Sequence, residues 1–370
     1  FLADGTLVAN WRLAGLHCLG IVEGGNARAL VLPHESFGHL ALTGLGVLAV
    51  AGGPAVAPEL VRIGVKEGRV DVLRRSRQAV LAPEWISRGE PFTFPTGGAG
   101  SGEVAHGVYY APNNPQFHGP RGERAPLIVM SHGGPTGSAS RVLDLRVQYW
   151  TTRGFGVADI DYRGSTGYGR DYRRALEGRW GLADVADCAA AANWLSAAGE
   201  AEHGRMVIRG SSASGLTVLA ALARHDVFAA GTVLYGVADL ASLAAGTHKF
   251  ESHYISRLVP EAEYAARSPL HLAGRIGVPV LFLHGLDDRV APPEQSRAMA
   301  RALAESGLRP VLVEVEGESH GFRRATTLAR AQEAELAFYG EELGFEPAGD
   351  IARAHSDLEA GRRPGGTLWS

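Results

Sequence analysis

The chain has 370 residues, room for two to three domains. It is 45% hydrophobic, 20% charged and 8% aromatic, which excludes both a disordered chain and a small disulfide-stapled scaffold. A formal net charge of -3, from 36 Lys+Arg against 39 Asp+Glu, leaves no electrostatic footprint for nucleic acid. With Lys66 and Lys249 the only lysines, a phosphate loop ending in Gly-Lys-Ser/Thr is excluded as well.

The chain starts at Phe1, and nothing there resembles a basic segment followed by an apolar signal core. Residues 1–75 read as short β segments, among them Leu40-Leu42, Val47-Val50, Leu60-Val65 and Val70-Leu73, separated by Gly and Pro turns. The last two flank Lys66-Glu67-Gly68, a hairpin signal. The longest uncharged run, Ser36 to Pro58, could span a bilayer, but Gly44, Gly46, Gly52, Gly53, Pro54 and Pro58 interrupt it. Two strands joined by a Gly-Gly-Pro turn is the better reading, and no membrane association is expected. Residues 76–102 hold many turn residues and read as a linker.

From residue 103 short apolar runs alternate with longer helical segments, the pattern of βαβ units and a mostly parallel, doubly wound α/β sheet. Expected strands are Val104-Tyr110, Leu127-Ser131, Val157-Asp161, Met206-Arg209, Gly231-Tyr235, Val280-His284 and Val311-Val315. Expected helices lie near 141–152, 184–197, 214–224, 294–305 and 327–342. This unit runs over 103–346, and a loose tail extends from Pro347. Cys18 and Cys188 are far apart in sequence and read as small packed hydrophobes, a lean toward the cytoplasm.

The most informative stretch runs from Arg205 to Leu216. An apolar strand enters the small-residue turn Gly210-Ser211-Ser212-Ala213-Ser214-Gly215 and leaves as a helix, the context of a nucleophile elbow. In the Gly-x-Ser-x-Gly register the nucleophile is Ser212, but Ser214 replaces the last glycine. Taken alone, the turn reads equally as a Ser-rich N-cap. Two downstream segments decide between these readings. The strand Val280-Leu283 ends in a loop bearing Asp287 and Asp288, and the strand Val311-Val315 ends in a loop bearing His320. A triad needs an acid to orient the imidazole and a base to activate the serine. Ser212, then Asp287, then His320 is the chain order of an α/β-hydrolase. One oxyanion donor would be the N–H of Ala213. The other would come from the glycines of Ser131-His132-Gly133-Gly134-Pro135-Thr136. The Gly164–Gly169 run lacks dinucleotide spacing, and His248 and His253, five apart, do not align as metal ligands.

These segments resemble the prolyl oligopeptidase family of serine peptidases, in its dipeptidyl and acylaminoacyl peptidase branch. Besides those quoted, the matching stretches are Asp161–Gly169, Arg179-Trp180-Gly181, Thr247–Ser252, Asp287–Gln295 and Glu318–Phe322. The resemblance implies an α/β-hydrolase domain behind a β-propeller. It assigns the nucleophile to Ser212, the base to His320, the acid to Asp287 and the second oxyanion donor to Gly133 or Gly134. It also matches Val237 and Val290 to the pocket for the residue before the scissile bond. Residues 1–75 would supply the last one or two blades, so the chain reads as the C-terminal part of a longer protein. The implied activity is cleavage of short peptides through an acyl-enzyme, with no metal or organic cofactor and with homo-oligomerisation left open. A carboxylesterase would use the same triad, and a non-catalytic peptide-binding pseudo-hydrolase is the alternative from another class.

Overall fold

The computed structural model describes residues 1–351 except 45, 79, 80, 99, 248, 250, 252 and 350. The expected loose tail from 352 onward, and His248, Phe250 and Ser252 of the resembling segment, lie outside the described residues.

The N-terminal part forms two antiparallel sheets. One has strands β1 (Leu7–Leu13), β2 (Leu16–Glu23) and β3 (Asn26–Ala29). The other is a meander of β4 (Ser36–Thr43), β5 (Gly46–Gly53), β6 (Val56–Gly64) and β7 (Arg69–Arg75). Period-2 alternation decides which side is buried. Val47, Ala49 and Ala51 of β5 and Val61 and Ile63 of β6 point inward, where Leu19 and Ile21 of β2 complete the core. The run from Ser36 to Pro58 therefore holds all of β4 and β5 and the first residues of β6, one strand more than expected, and its Gly-Gly-Pro turn joins β5 to β6. A four-stranded antiparallel sheet is the unit of a propeller blade. The β4–β7 sheet has that form, and the β1–β3 sheet is one strand short of it.

The main sheet has eight strands in the order β15-β14-β13-β12-β10-β11-β9-β8. Strands β10 (Leu127–Ser131), β11 (Gly156–Asp161), β12 (Met206–Ser211), β13 (Ala230–Leu234), β14 (Val280–Gly285) and β15 (Val311–Val315) pair parallel. Strands β8 (Glu90–Pro95) and β9 (Val104–Tyr110) add antiparallel at one edge. Strand β8 corrects the expectation of a linker over 76–102. Pro91 and Pro95 are turn residues by composition, but an edge strand tolerates proline because its outer N–H has no ladder partner to lose. Phe94 is buried there, and Phe92 stacks on Trp194 at 5.4 Å.

Alternate residues of each parallel strand serve two cores. Leu127, Val129, Ile208, Val233 and Phe282 face helices α3 (Ala183–Ala197), α4 (Ala213–Arg224) and α8 (Glu294–Glu305). Ile128, Val207, Leu281, Leu283 and Val313 face α1 (Leu145–Thr151) and α9 (Ala325–Leu343). Burial on both faces is why these strands read as continuous apolar runs. Each fully buried side chain of this size adds about 1.5–3 kcal/mol. The remaining helices α2 (Arg170–Arg174), α5 (Leu240–Gly246), α6 (Tyr254–Leu258) and α7 (Tyr264–Arg267) are short. None of the described helices is long and apolar enough to cross a membrane. This is the α/β-hydrolase sheet, with the loops after β10, β12, β14 and β15 on one edge.

Candidate active site

The turn between β12 and α4 holds Ser212 at φ 55° and ψ -123°, a left-handed conformation rare for a residue with a side chain. Such strain persists only where surroundings enforce it. Here the Ser212 N–H donates to the Leu234 carbonyl at 3.1 Å, and its carbonyl accepts from Gly215 and Val237 at 2.9 and 3.2 Å. Close packing does the rest. A Cβ on Gly215 would come 2.5 Å from the Cα of Gly236, and one on Gly210 would come 2.4 Å from Ser214 Oγ. The Ser214 side chain, which replaces the motif's last glycine, points elsewhere. It is buried and hydrogen-bonds Ser131 Oγ at 2.6 Å, tying the elbow to the end of β10.

His320 Nε2 lies 2.9 Å from Ser212 Oγ, and His320 Nδ1 lies 2.7 Å from Asp288 Oδ2. The acid that meets the histidine is therefore Asp288, and the assignment to Asp287 is corrected. The reason is the shape of the loop after β14. Asp287 is exposed, its backbone N–H committed to the Glu318 carbonyl at 2.9 Å. Asp288, one residue on, turns inward and is 4% exposed. Its Oδ1 accepts the N–H groups of Val290 and Ala291 at 2.8 and 3.0 Å. That leaves Oδ2 for His320, with the buried His284 Nε2 at 3.5 Å. Burial pushes the Asp288 carboxyl up, but the hydrogen bonds from His284, His320 and Val290 outweigh it and hold the group well below the usual carboxylate range. It stays ionised, as the partner of an imidazolium must.

Two further contacts hold His320 in place. The Glu318 carboxylate accepts the N–H groups of Arg323 and Arg324 at 2.9 and 3.0 Å, fixing the loop. Burial raises the Glu318 carboxyl and these backbone donors lower it further, for a net fall. The ring of Tyr235 packs edge-on against the imidazole at 5.1 Å.

The loop after β10 passes beside the serine. A Cβ on Gly133 would lie 3.8 Å from Ser212 Cβ, whereas Gly134, at φ 122°, lies against Thr136 and Gly137. His132 anchors this loop. Its Nδ1–H donates to the Gly133 carbonyl at 2.9 Å, its Nε2 lies 2.6 Å from Ser165 Oγ, and its ring stacks on Tyr162 at 4.5 Å. Burial lowers its pKa to about 4, so the ring is neutral at neutral pH.

A strained serine, a base in hydrogen-bonding range and a buried acid behind it stand at the ends of three strands of one sheet. The family model described as the prolyl oligopeptidase family matches residues 141–346, more than half of the chain. The chain belongs to the prolyl oligopeptidase family. Among curated members, it is 29% identical over 221 residues to an acylamino-acid-releasing enzyme of Arabidopsis thaliana, covering 56% of this chain and 29% of that protein. It is 27% identical over 237 residues to dipeptidyl aminopeptidase BIII of Pseudoxanthomonas mexicana, covering 60% and 34%. Among solved structures, a puromycin-hydrolyzing peptidase of Mycobacterium tuberculosis superposes with a TM-score of 0.88 at 42% identity, over 94% of this chain and 54% of that one. The chain thus spans about a third of these curated relatives and about half of the solved one.

The expected site residues divide accordingly. Ser212, His320, Ala213 and Gly133 come together, while Asp287 is exposed and makes no contact with the histidine. Val237 is buried beneath the elbow, and Val290 is 62% exposed on the loop after Asp288. His284 and Tyr235 join the site from the structure and not from the motifs, while Glu318 lies in the matching stretch Glu318–Phe322 but gains its loop-fixing role only from the structure. His284 carries a sequence signal of its own, standing four residues before Asp288 at the end of a buried strand.

Proposed function

We propose that the chain carries the catalytic machinery of a serine peptidase that cleaves short peptides through an acyl-enzyme. The observation that carries this reading is the continuous relay Ser212–His320–Asp288, at 2.9 and 2.7 Å, on an elbow strained to present the hydroxyl. Ser212 Oγ attacks the scissile carbonyl while His320 Nε2 takes its proton. Asp288 holds the tautomer and balances the imidazolium. The N–H groups of Ala213, at the start of α4, and of Gly133 receive the oxyanion, where the helix dipole adds to their effect. His320 then gives the proton to the leaving amine, and water releases the acyl group by the same steps in reverse roles.

Acylaminoacyl and dipeptidyl cleavage are the substrate classes to test first, on the names of the curated relatives. Puromycin joins them on the name of the solved neighbour. The assignment of Val237 and Val290 to the acyl pocket rests on the family resemblance alone. Incubation with a fluorophosphonate probe tests the chemistry. Labelling is expected in the parent chain and not in Ser212→Ala, and labelling that persists in the variant refutes the nucleophile. Turnover of p-nitrophenyl esters without any aminoacyl p-nitroanilide would replace the peptidase by an esterase.

A further inference from the structure

We propose that an arginine-lined recess beside the oxyanion loop receives a carboxylate of the peptide substrate, an inference that rests on the serine-peptidase reading. The recess has a volume of about 360 Å³. Thr136 forms one wall, Arg170, Arg173 and Arg174 of α2 another, and Tyr254 and Arg257 of α6 a third. Glu177 is the one carboxylate among the described residues lining it. That charge is already taken, since Arg257 pairs with Glu177 and Arg174 lies 4.0 Å from it. Arg170 and Arg173 have no carboxylate partner among the described residues. Arg173 reaches only the hydroxyl of Thr136, at 3.5 Å. Four guanidinium groups against one carboxylate leave the recess strongly positive.

Chemistry selects the ligand. A guanidinium presents a planar fork of N–H donors that matches a carboxylate with two parallel hydrogen bonds, and it is weakly hydrated, so it gives up water at low cost. Tyr254 Oη and Thr136 Oγ1, 2.8 Å apart, supply neutral hydroxyls beside it. Position selects the role. Thr136 is three residues along the loop from Gly133, which lies against Ser212. At about 3.8 Å per Cα step the recess wall is within roughly 15 Å of the nucleophile. An extended peptide covers that distance in about four or five residues. A short substrate held at Ser212 can therefore place in the recess either its C-terminal carboxylate or an Asp or Glu side chain.

Four matched peptides test this, combining a free or amidated C-terminus with a Glu or Gln side chain. They are assayed with the parent chain and with the Arg170→Gln/Arg173→Gln double variant, whose exposed sites carry no fold. Carboxylate-bearing peptides should show a KM about ten- to a hundredfold below the neutral peptide, in the range of charge-assisted hydrogen bonds. The double variant should abolish that preference and leave kcat/KM for the neutral peptide within about twofold. A preference for the free acid over the amide identifies the terminal carboxylate as the ligand, and one for Glu over Gln identifies the side chain. Equal KM for all four peptides, or a preference that survives the double variant, overturns the recess. If no peptide is turned over, calorimetric titration of the same set separates the two claims. Carboxylate-dependent binding lost in the double variant keeps the recess while the peptidase reading fails, and absence of such binding ends both.

Discussion

Exchanging each of the two neighbouring acids for its amide separates their roles, because the hydrogen bonds around Asp288 dictate what an asparagine must do there. Two backbone donors, the N–H groups of Val290 and Ala291, point at Oδ1. In Asp288→Asn the amide oxygen has to occupy that position, since an NH2 facing two donors would leave buried groups unpaired. The NH2 then replaces Oδ2 and donates to His320 Nδ1. The imidazole is forced to carry its proton on Nε2, the atom 2.9 Å from Ser212 Oγ, and can no longer accept the serine proton. Loss of the correct tautomer costs such relays about 10⁴-fold in kcat, roughly 5.5 kcal/mol at the transition state. Asp287→Asn changes an exposed side chain and should leave kcat within about twofold. The assay is kcat and KM on an aminoacyl p-nitroanilide, with fluorophosphonate labelling rates as a second readout and thermal unfolding to verify the fold. A collapse of kcat in Asp287→Asn with near-normal Asp288→Asn would refute the reasoning.

Burial, then the neighbouring Asp161 and Asp144, push the Asp159 carboxyl up to about 8, and its Oδ1 is buried without a hydrogen-bond partner among the described residues. The folded chain therefore keeps a proton that the unfolded chain gives up near pH 4. Stability should fall as pH rises from about 4 to about 8, and Asp159→Asn should flatten that slope and raise Tm most near pH 8.5. Parallel Tm–pH curves for parent and variant would contradict this. Glu335→Ala strands the guanidinium of Arg209, which now makes two bonds of 2.8 and 2.9 Å between β12 and α9. Denaturant titration should show a loss of about 3–5 kcal/mol. Gly215→Ala drives a methyl to 2.5 Å from the Gly236 Cα, so the elbow must move. Stability should drop by about 1–3 kcal/mol and labelling of Ser212 should slow in parallel. Normal labelling in a destabilised variant would show that elbow position and helix packing are uncoupled.

The order of the strands, and the kind of loop that leaves each one, is legible in the sequence. Buried parallel strands leave long apolar runs, and a parallel sheet places every strand-to-helix loop on one edge, so Ser212 and His320 can be matched without coordinates. The choice between Asp287 and Asp288 is not legible in this way. Adjacent carboxylates have the same chemistry, and only the turn that offers the N–H groups of Val290 and Ala291 to one of them distinguishes the two. Strand β8 is hidden because Pro91 and Pro95 signal turns in any context except a sheet edge. Helices α2, α6 and α7 are hidden because four or five residues do not complete two turns of a 3.6-residue period. Ser214 reads as a defect in the motif because spacing alone places it at the closest approach. Ser214 does lie close against Gly210, but its hydroxyl is accommodated by the bond to Ser131, and the approach to the loop after β13 belongs to Gly215 and Gly236.

The loop that carries Gly133 joins the two halves of the molecule. On the catalytic side it is held by His132 against Ser165 and Tyr162. Downstream, Ala139 N–H donates to Asp161 at 2.7 Å, and Tyr168 Oη donates to the same carboxylate at 2.7 Å. The N-terminal sheets grip the continuation of this loop. Arg12 of β1 donates to Ser138, Glu35 pairs with Arg141 at 3.3 Å, and Leu143 N–H donates to the Gly53 carbonyl at 2.9 Å. An oxyanion donor works by being in place before charge develops, so its value depends on how little the loop can move. A glycine pair alone would leave that loop among the most mobile segments of the sheet edge. The polar contacts from β1, Glu35 and β5 restrict it from the far side. The antiparallel sheets thus act on the chemistry through the backbone of 131–143, without placing a side chain in the relay.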